Sequence, residues 1–131
     1  MIYEQETRSV EVKVRPIYNR QHSSPEEHLY IWEYEIQIVN KSEKIVQLLS
    51  RYWKVTNSYG EVEEVNGPGV IGLQPVIKPK EVFQYRSFTR LNTPEGSMVG
   101  TYTMKGEAGE YFDVVIPLFE LHLPARLVKL H

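Results

Sequence analysis

Hydrophobic and polar residues alternate along most of this chain, which is the period of a β-strand that buries one face. The clearest example is residues 30–38, where every second side chain is aromatic or β-branched, the types that suit a pleated surface. One face of this predicted strand carries Tyr30, Trp32, Tyr34, Ile36 and Ile38. Residues 7–18 have valine at positions 10, 12 and 14, and they predict a second half-buried strand.

Residues 44–56 are apolar on both faces of an extended chain. Strand alternation gives one face with Ile45, Leu49, Trp53 and Val55, and an opposite face with Val46, Leu48 and Tyr52. Such a strand is typical of a sheet centre, or of a position between a core and a covering element. Arg51 shares the face of Leu49 and Trp53, so the pattern also predicts a charged side chain in apolar surroundings.

Turn signals divide the rest of the chain into short strands. Gly60 ends the sequence Asn-Ser-Tyr-Gly, a turn in which the glycine takes a positive φ and returns the chain through residues 61–65 as a hairpin. Pro117 interrupts the last strand, and residues 118–124 continue it as an edge strand, where proline is tolerated. Other predicted strands cover residues 81–88, 97–104 and 110–116.

These segments predict an all-β protein, an immunoglobulin-like or fibronectin-type-III-like antiparallel β-sandwich of about seven or eight strands. No segment in the body of the chain has helical periodicity. We expect one domain over residues 1–124, followed by a tail, residues 125–131, that is either a short helix or disordered.

Composition narrows the classes of partner. The 131 residues include 15 Lys and Arg against 17 Asp and Glu, and neither sign forms a run. Nucleic-acid binders usually carry a basic stripe, so we expect no nucleic-acid partner. Cysteine is absent, the N-terminus lacks the features of a secretory signal, and no apolar run approaches the ~20 residues that span a bilayer. We therefore expect a cytoplasmic protein without membrane contact, and exposed sheet edges make a homodimer plausible.

Gly67, Gly69 and Gly72 have the G-x-G-x-x-G spacing of a dinucleotide-binding loop. In that fold the third glycine begins a helix, whereas here Pro75 and Pro79 follow, and one of them would lie inside the helix at a cost of about 3 kcal/mol. We therefore expect no helix after the loop. The favoured interpretation is backbone geometry at a corner of the sandwich, and the alternative is an anion site made by successive backbone N–H groups.

Arg51 is the other candidate for a ligand contact. A guanidinium in an apolar strand needs acceptors or a carboxylate, so the favoured interpretation is a structural ion pair, or stacking on an aromatic ring. The alternative is contact with an anionic ligand beside the glycines, or with a partner protein that also touches exposed Tyr52 or Trp53.

Residues that would mark catalysis or metal binding are missing. There is no Gly-x-Ser-x-Gly sequence, and nothing in the spacing of Asp113 and His122 favours a triad. His22 and His28 share a polar loop with two glutamates, which is better explained as a solvated loop than as a weak cation site. We predict no catalytic residue, no metal site and no cofactor.

Five segments together resemble the signature of the ApaG family, in the family's order and over about residues 8–124. They are WEYEI at residues 32–36, QLLSRYW at 47–53, GPGVIGLQP at 67–75, TPEGSMVGTYTM at 93–104 and FDVVIPLF at 112–119. Three positions depart from the family's pattern: Leu73 replaces an acidic residue, and Lys80 and Phe88 stand where glycine is common.

The resemblance implies a fibronectin-type-III-like sandwich, an association with magnesium and cobalt homeostasis, and a gene neighbourhood that includes a diadenosine tetraphosphate hydrolase. It also implies protein recognition, because related domains occur in F-box proteins and in a polymerase-delta-interacting protein. No catalytic residues are established for the family. We therefore predict a non-enzymatic binding or protein-interaction module, and the alternative is a binder of pyrophosphate or a dinucleoside polyphosphate through residues 67–72 and Arg51.

Overall fold

Residues 1–124, the part of the chain that the computed structural model describes, form nine β-strands and a short 3-10 turn at Pro25–Glu27. The strands are β1 (Tyr3–Thr7), β2 (Val10–Tyr18), β3 (Tyr30–Asn40), β4 (Val46–Asn57), β5 (Val62–Pro68), β6 (Val76–Ile77), β7 (Val82–Leu91), β8 (Gly96–Gly106) and β9 (Tyr111–Leu121). The predicted tail lies outside the described residues. Within residues 1–124, no helix has the length and apolar character needed to cross a membrane.

The strands form two antiparallel sheets that pack face to face. The first sheet has the order β1-β2-β3-β7, and the second has the order β5-β4-β8-β9, with β6 also paired to β4. The predicted all-β, fibronectin-type-III-like sandwich is confirmed. The described residues contain more strands than the predicted seven or eight, because β1 and the two-residue β6 are too short or too exposed to give a sequence pattern.

Alternation along the strands builds the core, as predicted. Every second residue of β3 is buried, and so are the three valines at positions 10, 12 and 14 of β2. From the second sheet, β8 and β9 contribute Tyr102, Met104, Ile116 and Phe119, each 0% exposed. Burying one large apolar side chain stabilises a fold by about 1.5–3 kcal/mol, so these strand faces dominate the stability of the sandwich.

The first predicted strand is wrong at its start, because Thr7 belongs to a separate strand. Arg8 and Ser9 have positive φ angles of 49° and 65°, and they form a two-residue hairpin turn that pairs Thr7 with Val10. Such turns normally use Gly, Asn or Asp at the positive-φ positions. Arg and Ser give no such signal, so the hairpin could not be predicted from these residues.

The predicted two-sided apolar character of β4 is also wrong, and a bulge is the reason. The register against β8 shifts between Leu48 and Ser50, which leaves Leu49 as an extra residue. Val46 and Leu48 face the core before the bulge, and Trp53 faces it afterwards. The strand is therefore one-sided throughout, and Leu49 does not continue the face of Trp53.

One lateral side of the sandwich is closed by contact between β1 and β9. The Val115 N–H donates to the Thr7 hydroxyl at 3.2 Å, and the rings of Tyr3 and Phe119 lie 6.1 Å apart. β9 continues through Pro117 to Leu121 as one edge strand, with a register shift against β8 beside the proline. The predicted continuation beyond Pro117 is confirmed as far as Leu121, whereas residues 122–124 are not part of the strand.

The other lateral side, which we call the open side, is formed by β5, β7 and the chain between them, residues 62–91. β5 and β7 each pair on one edge only, with β4 and β3 respectively. Every residue of β5 except Gly67 is exposed, so neither face of this strand is covered within residues 1–124. Two cavities, of about 380 and 420 Å³, open between the two strands.

Candidate functional site

The glycine loop, residues 67–72, ends β5 and lies at the open side. Ile71 and Gly72 have φ angles of 43° and 77°, and they form a two-residue reverse turn closed by Val70 and Leu73. The Val70 N–H donates to the Leu73 carbonyl at 2.9 Å, and the Leu73 N–H donates to the Val70 carbonyl at 2.8 Å. The chain then enters β6, so the expectation that no helix follows the loop is confirmed.

Close contacts surround two of the glycines, and those at Gly69 involve backbone. A Cβ on Gly69 would lie 2.1 Å from the Leu73 carbonyl oxygen, and Gly69 also has a φ of 60°. A Cβ on Gly67 would lie 2.9 Å from the guanidinium nitrogens of Arg51. Backbone geometry therefore accounts for the glycine at position 69, whereas a side chain at position 67 would displace the Arg51 guanidinium.

Two backbone donors of this loop, those of Gly69 and Val70, are used within the protein. Pro68 has no N–H, and the Gly69 N–H donates to the Leu49 carbonyl at 2.7 Å. The loop instead turns carbonyls inward, because Arg51 Nη1 donates to the carbonyls of Pro68 at 3.1 Å and Gly69 at 2.9 Å. Positive charge at this site is thus supplied by the Arg51 side chain.

Arg51 forms one wall of the 380 Å³ cavity, together with residues of β3, β7 and the reverse turn. No carboxylate of residues 1–124 lies within ion-pair distance of its guanidinium, so the predicted structural ion pair is not found there. The two recorded hydrogen bonds use only Nη1. A guanidinium has five N–H donors and a fixed charge, so Arg51 retains donors for an anionic group in the cavity.

Tyr34 and Tyr85 are part of the cavity wall, and Tyr102 lies buried behind them. The hydroxyls of Tyr85 and Tyr102 are 2.5 Å apart, and burial raises the pKa of both above the ordinary value. Burial also raises the pKa of Tyr34, while Ser87 and the charge of Arg51 offset part of that rise. All of these hydroxyls therefore stay protonated at neutral pH and are hydrogen-bond donors.

The sequence did not predict that Tyr34, Tyr85 and Ser87 lie near Arg51. Alternation places Tyr34 and Tyr85 on inward faces of their strands, but their meeting depends on how β3 and β7 pack under β4. Arg51 does lie with the three glycines, since its guanidinium contacts Gly67 and Gly69, and Gly72 lines the same cavity.

Trp53 is buried, at 3% exposed, so the prediction that it is a surface contact is wrong. Its ring lies 5.3 Å from Tyr34 and 5.9 Å from Phe119, inside the core. Tyr52 is half-buried on the outer face of the second sheet, where its hydroxyl donates to Glu64 at 2.6 Å. The bulge at Leu49 explains how Trp53 shares the inward face with Val46 and Leu48.

Two further hollows border β7. The 420 Å³ cavity lies on the inner side and is lined by residues that include Glu63, Arg90 and Leu91. A hollow of about 500 Å³ lies beside the outward-facing side chains of β7, with Ile31 and the exposed ring of Phe88 in its lining. Phe88 is 61% exposed, and it stands at one of the departures noted in the sequence.

The polar residues considered for chemistry lie apart from this site. Asp113 accepts a hydrogen bond from Thr103, whereas both ring nitrogens of His122 lie 2.8 Å from carboxylates, those of Glu95 and Glu120. Asp113 and His122 therefore do not form a pair. Among residues 1–124, no three His, Asp or Glu side chains converge as metal ligands.

Comparisons with known proteins agree with this fold. The family model of the ApaG domain matches residues 20–106. Protein ApaG of Mesorhizobium japonicum is 52% identical over 123 residues, covering 94% of this chain and 95% of the relative. Protein ApaG of Paramagnetospirillum magneticum is 47% identical over 130 residues, covering 99% and 100%.

A crystal structure from Bordetella pertussis is similar, with a TM-score of 0.86 and 38% identity over 93% of this chain and 96% of that one. The family match runs from the loop before β3 to the end of β8, and so includes Arg51 and all three glycines of the loop. Since the relatives also align over almost the full length of this protein, the chain belongs to the ApaG family.

Proposed function

We propose that this protein is a non-enzymatic protein-binding module of the cytoplasm, and that its docking surface is the open side. The observation that carries the proposal is the distribution of exposed apolar side chains. Twelve large hydrophobic side chains of residues 1–124 are exposed, and seven of them lie on the open side: Val62, Val65, Ile71, Leu73, Val76, Val82 and Phe88.

Exposure of apolar surface to water is unfavourable in free energy, and large exposed apolar patches are typical of interaction sites. The two unpaired strand edges beside it add backbone donors and acceptors that a partner can satisfy. Arg51 adds a charge without a carboxylate among the described residues, and such a group favours partners that bring an anion.

The expected association with magnesium and cobalt levels belongs to the same proposal. Because no three potential ligands converge within residues 1–124, we propose that any such effect acts through the partner and not through an ion held by these residues. Turnover of a nucleotide by the purified protein, lost on replacing one side chain, would contradict the non-enzymatic part of the proposal.

Photo-crosslinking in living cells tests the docking surface. A photoreactive amino acid is placed at Phe88 or Ile71, which are 61% and 56% exposed. Tyr111 and Leu118, at 66% and 56% exposed, are matched positions on β9, away from the open side. We expect a specific protein adduct from the first pair only. Adducts from the β9 pair alone, or from no position, would overturn the proposal.

A second candidate function is the binding of pyrophosphate or a dinucleoside polyphosphate at the glycine loop. The observation that favours it is Arg51, which faces a 380 Å³ cavity without a carboxylate partner among residues 1–124. Amide shifts on titration with pyrophosphate and with diadenosine tetraphosphate should then concentrate at residues 65–73.

The Arg51→Ala variant should lose those shifts, whereas Lys54→Ala, which removes an exposed cation of the same strand, should keep them. An absence of shifts at millimolar concentrations of both ligands would exclude this second function.

A further inference from the structure

The two sheets differ in width at the open side. β5 extends the second sheet beyond β4, and six of its seven residues are exposed. Trp53 and Val55 of β4 point into the core, toward the first sheet. Their partners on β5, Val65 and Glu63, point to the same side of the second sheet. The first sheet ends at β7, so nothing within residues 1–124 lies beneath β5 where a further strand would continue that sheet.

The outer edge of β7 carries unpaired backbone groups at alternate residues. The Ile31 N–H donates to the Ser23 hydroxyl and its carbonyl accepts from Asn19, so Ile31 makes its backbone bonds away from its β7 partner, Arg90. In an antiparallel ladder such non-bonded pairs recur at every second residue. Arg90, Phe88 and Arg86 therefore present their N–H and carbonyl groups to the vacant edge.

Hollows follow this edge on both faces of the first sheet. The Arg51 cavity lies on the inner face at Tyr85 and Ser87, and the apolar hollow lies on the outer face at Phe88. A strand projects successive side chains to opposite faces, so one residue of an added strand would enter the first hollow and its neighbour the second. This is the arrangement by which strand-addition domains read an extended peptide.

The charge and polarity of each hollow indicate which peptide side chains would fit it. On the inner face, Arg51 offers a guanidinium without a carboxylate among residues 1–124, beside the neutral hydroxyl of Tyr34. On the outer face, Ile31 and Phe88 offer apolar surface. Arg86 is already paired with Glu33 and Glu35, whereas Arg51 has no carboxylate partner among residues 1–124, so Arg51 is the cation that an acidic side chain on the inner face would meet.

We propose that an extended segment of the partner protein pairs antiparallel with β7 beneath β5, with an acidic side chain in the Arg51 cavity flanked by apolar residues on the outer face. This proposal rests on the proposed protein-binding function and specifies the partner's chemistry. The acidic residue lies opposite Ser87, and its two neighbours exchange backbone hydrogen bonds with Arg86 and Phe88.

A synthetic peptide tests the backbone pairing without altering the protein. The probe is a fluorescein-labelled heptapeptide, Thr-Thr-Val-Glu-Val-Thr-Thr, measured by fluorescence anisotropy. N-methylation of either valine amide removes a donor that faces β7, and we expect binding to weaken about tenfold. N-methylation of the glutamate amide, which faces away, should leave the affinity within about twofold.

Loss of affinity on methylation of the valine amides alone supports an added strand. Equal effects at all three amides, or no binding of the peptide at all, would overturn it.

A separate experiment tests the contact between the peptide's carboxylate and Arg51. Replacing the peptide's glutamate by glutamine, or Arg51 by methionine, should each weaken binding about fivefold, and the two changes together should weaken it little further. Independent, multiplying losses would overturn the contact between the two groups.

Two variants at one position separate the protein's backbone donor from its side chain. Phe88→Pro removes the edge N–H and the ring, whereas Phe88→Thr removes the ring alone, and proline is tolerated at an edge where its N–H faces outward. We expect Phe88→Pro to bind the probe about tenfold more weakly than Phe88→Thr. Equal affinities of two folded variants would overturn pairing at this residue.

Failure here is distinct from failure of the proposed function. If photo-crosslinks form at the open side but peptide N-methylation has no positional effect, the partner docks there without adding a strand. If self-association of this chain consumes the β7 edge, sedimentation will show a dimer that the Phe88→Pro variant dissociates, and that result would overturn a foreign segment as the occupant.

Discussion

Arg51 Nη1 holds the carbonyl of Gly69 at 2.9 Å, so a charged side chain of β4 fixes the corner at which β5 turns away. The same guanidinium lies so close to Gly67 that no Cβ fits there without displacing it. The G-x-G-x-x-G spacing therefore reflects a corner that packs around an arginine. Anion recognition at this corner depends chiefly on the donors that Arg51 keeps, because Pro68 has no N–H and the N–H groups of Gly69 and Val70 are engaged.

Replacing Gly69 by alanine should destabilise the fold by about 2–3 kcal/mol, since it combines a left-handed backbone with a contact of 2.1 Å to the Leu73 carbonyl. Gly72→Ala is the matched control, because Gly72 has a φ of 77° but no atom within 4 Å of the new Cβ. It should cost only about 1–2 kcal/mol. Urea unfolding measures both, and an equal loss for the two variants would remove the steric role of Gly69.

Trp53 and Tyr52 are adjacent but face opposite ways, and their alanine variants should differ strongly. Trp53→Ala empties a core position and should cost about 3–5 kcal/mol. Tyr52→Ala removes a half-buried ring and one hydrogen bond to Glu64, and should cost about 1 kcal/mol. Thermal unfolding separates the two, and a larger loss for Tyr52→Ala would contradict the register beyond the Leu49 bulge.

The hydroxyls of Tyr85 and Tyr102 form a buried pair whose members need each other. Removing one hydroxyl leaves the other without its partner, so each single phenylalanine variant should lose about 1–3 kcal/mol of unfolding free energy. The double variant should lose less than the sum of the two, because it leaves no orphaned hydroxyl. Additive losses in a double-mutant cycle would mean that the two hydroxyls are satisfied independently.

His122 predicts a pH dependence of stability. Hydrogen bonds to Glu95, and then to Glu120, raise the pKa of His122 above 6.5 in the folded protein. A raised folded pKa means that the stabilisation is fully present below the unfolded pKa and is lost as the pH rises through the folded one. NMR titration of the ring should give a midpoint above 6.5 that falls in Glu95→Gln. A midpoint at or below 6.5 in the unmodified protein would refute the two-carboxylate arrangement.

The sequence predicted the strands whose alternation is uninterrupted and missed the features that depend on a single inserted residue. β3 has an inward side chain at every second position, so its burial followed directly from the pattern. In β4, the extra residue at Leu49 places the residues before it on the faces opposite to those that strict alternation predicts. Alternation alone does not reveal such a bulge. Lys80, at a position where the resemblance to the ApaG family implied glycine, adopts a positive φ of 69°.

The open side could not be predicted, because it depends on the relative widths of two sheets. The residues of β5 give a strand pattern, but whether they are covered depends on where β7 ends the opposite layer. Arg51 and the glycines were identified from their types and spacing. Tyr34, Tyr85 and Ser87 come from two other strands, and only the packing of the layers brings them to the same cavity.

Amide hydrogen exchange on the protein alone and in complex with its crosslinked partner tests the docking surface most directly. Exchange at Arg86, Phe88 and Arg90 should be fast in the protein alone, since their N–H groups face the vacant edge, and slow in the complex. Val115 on β9 should keep the same rate in both states. Protection confined to β1 and β9, with unchanged exchange along β7, would contradict docking at the open side.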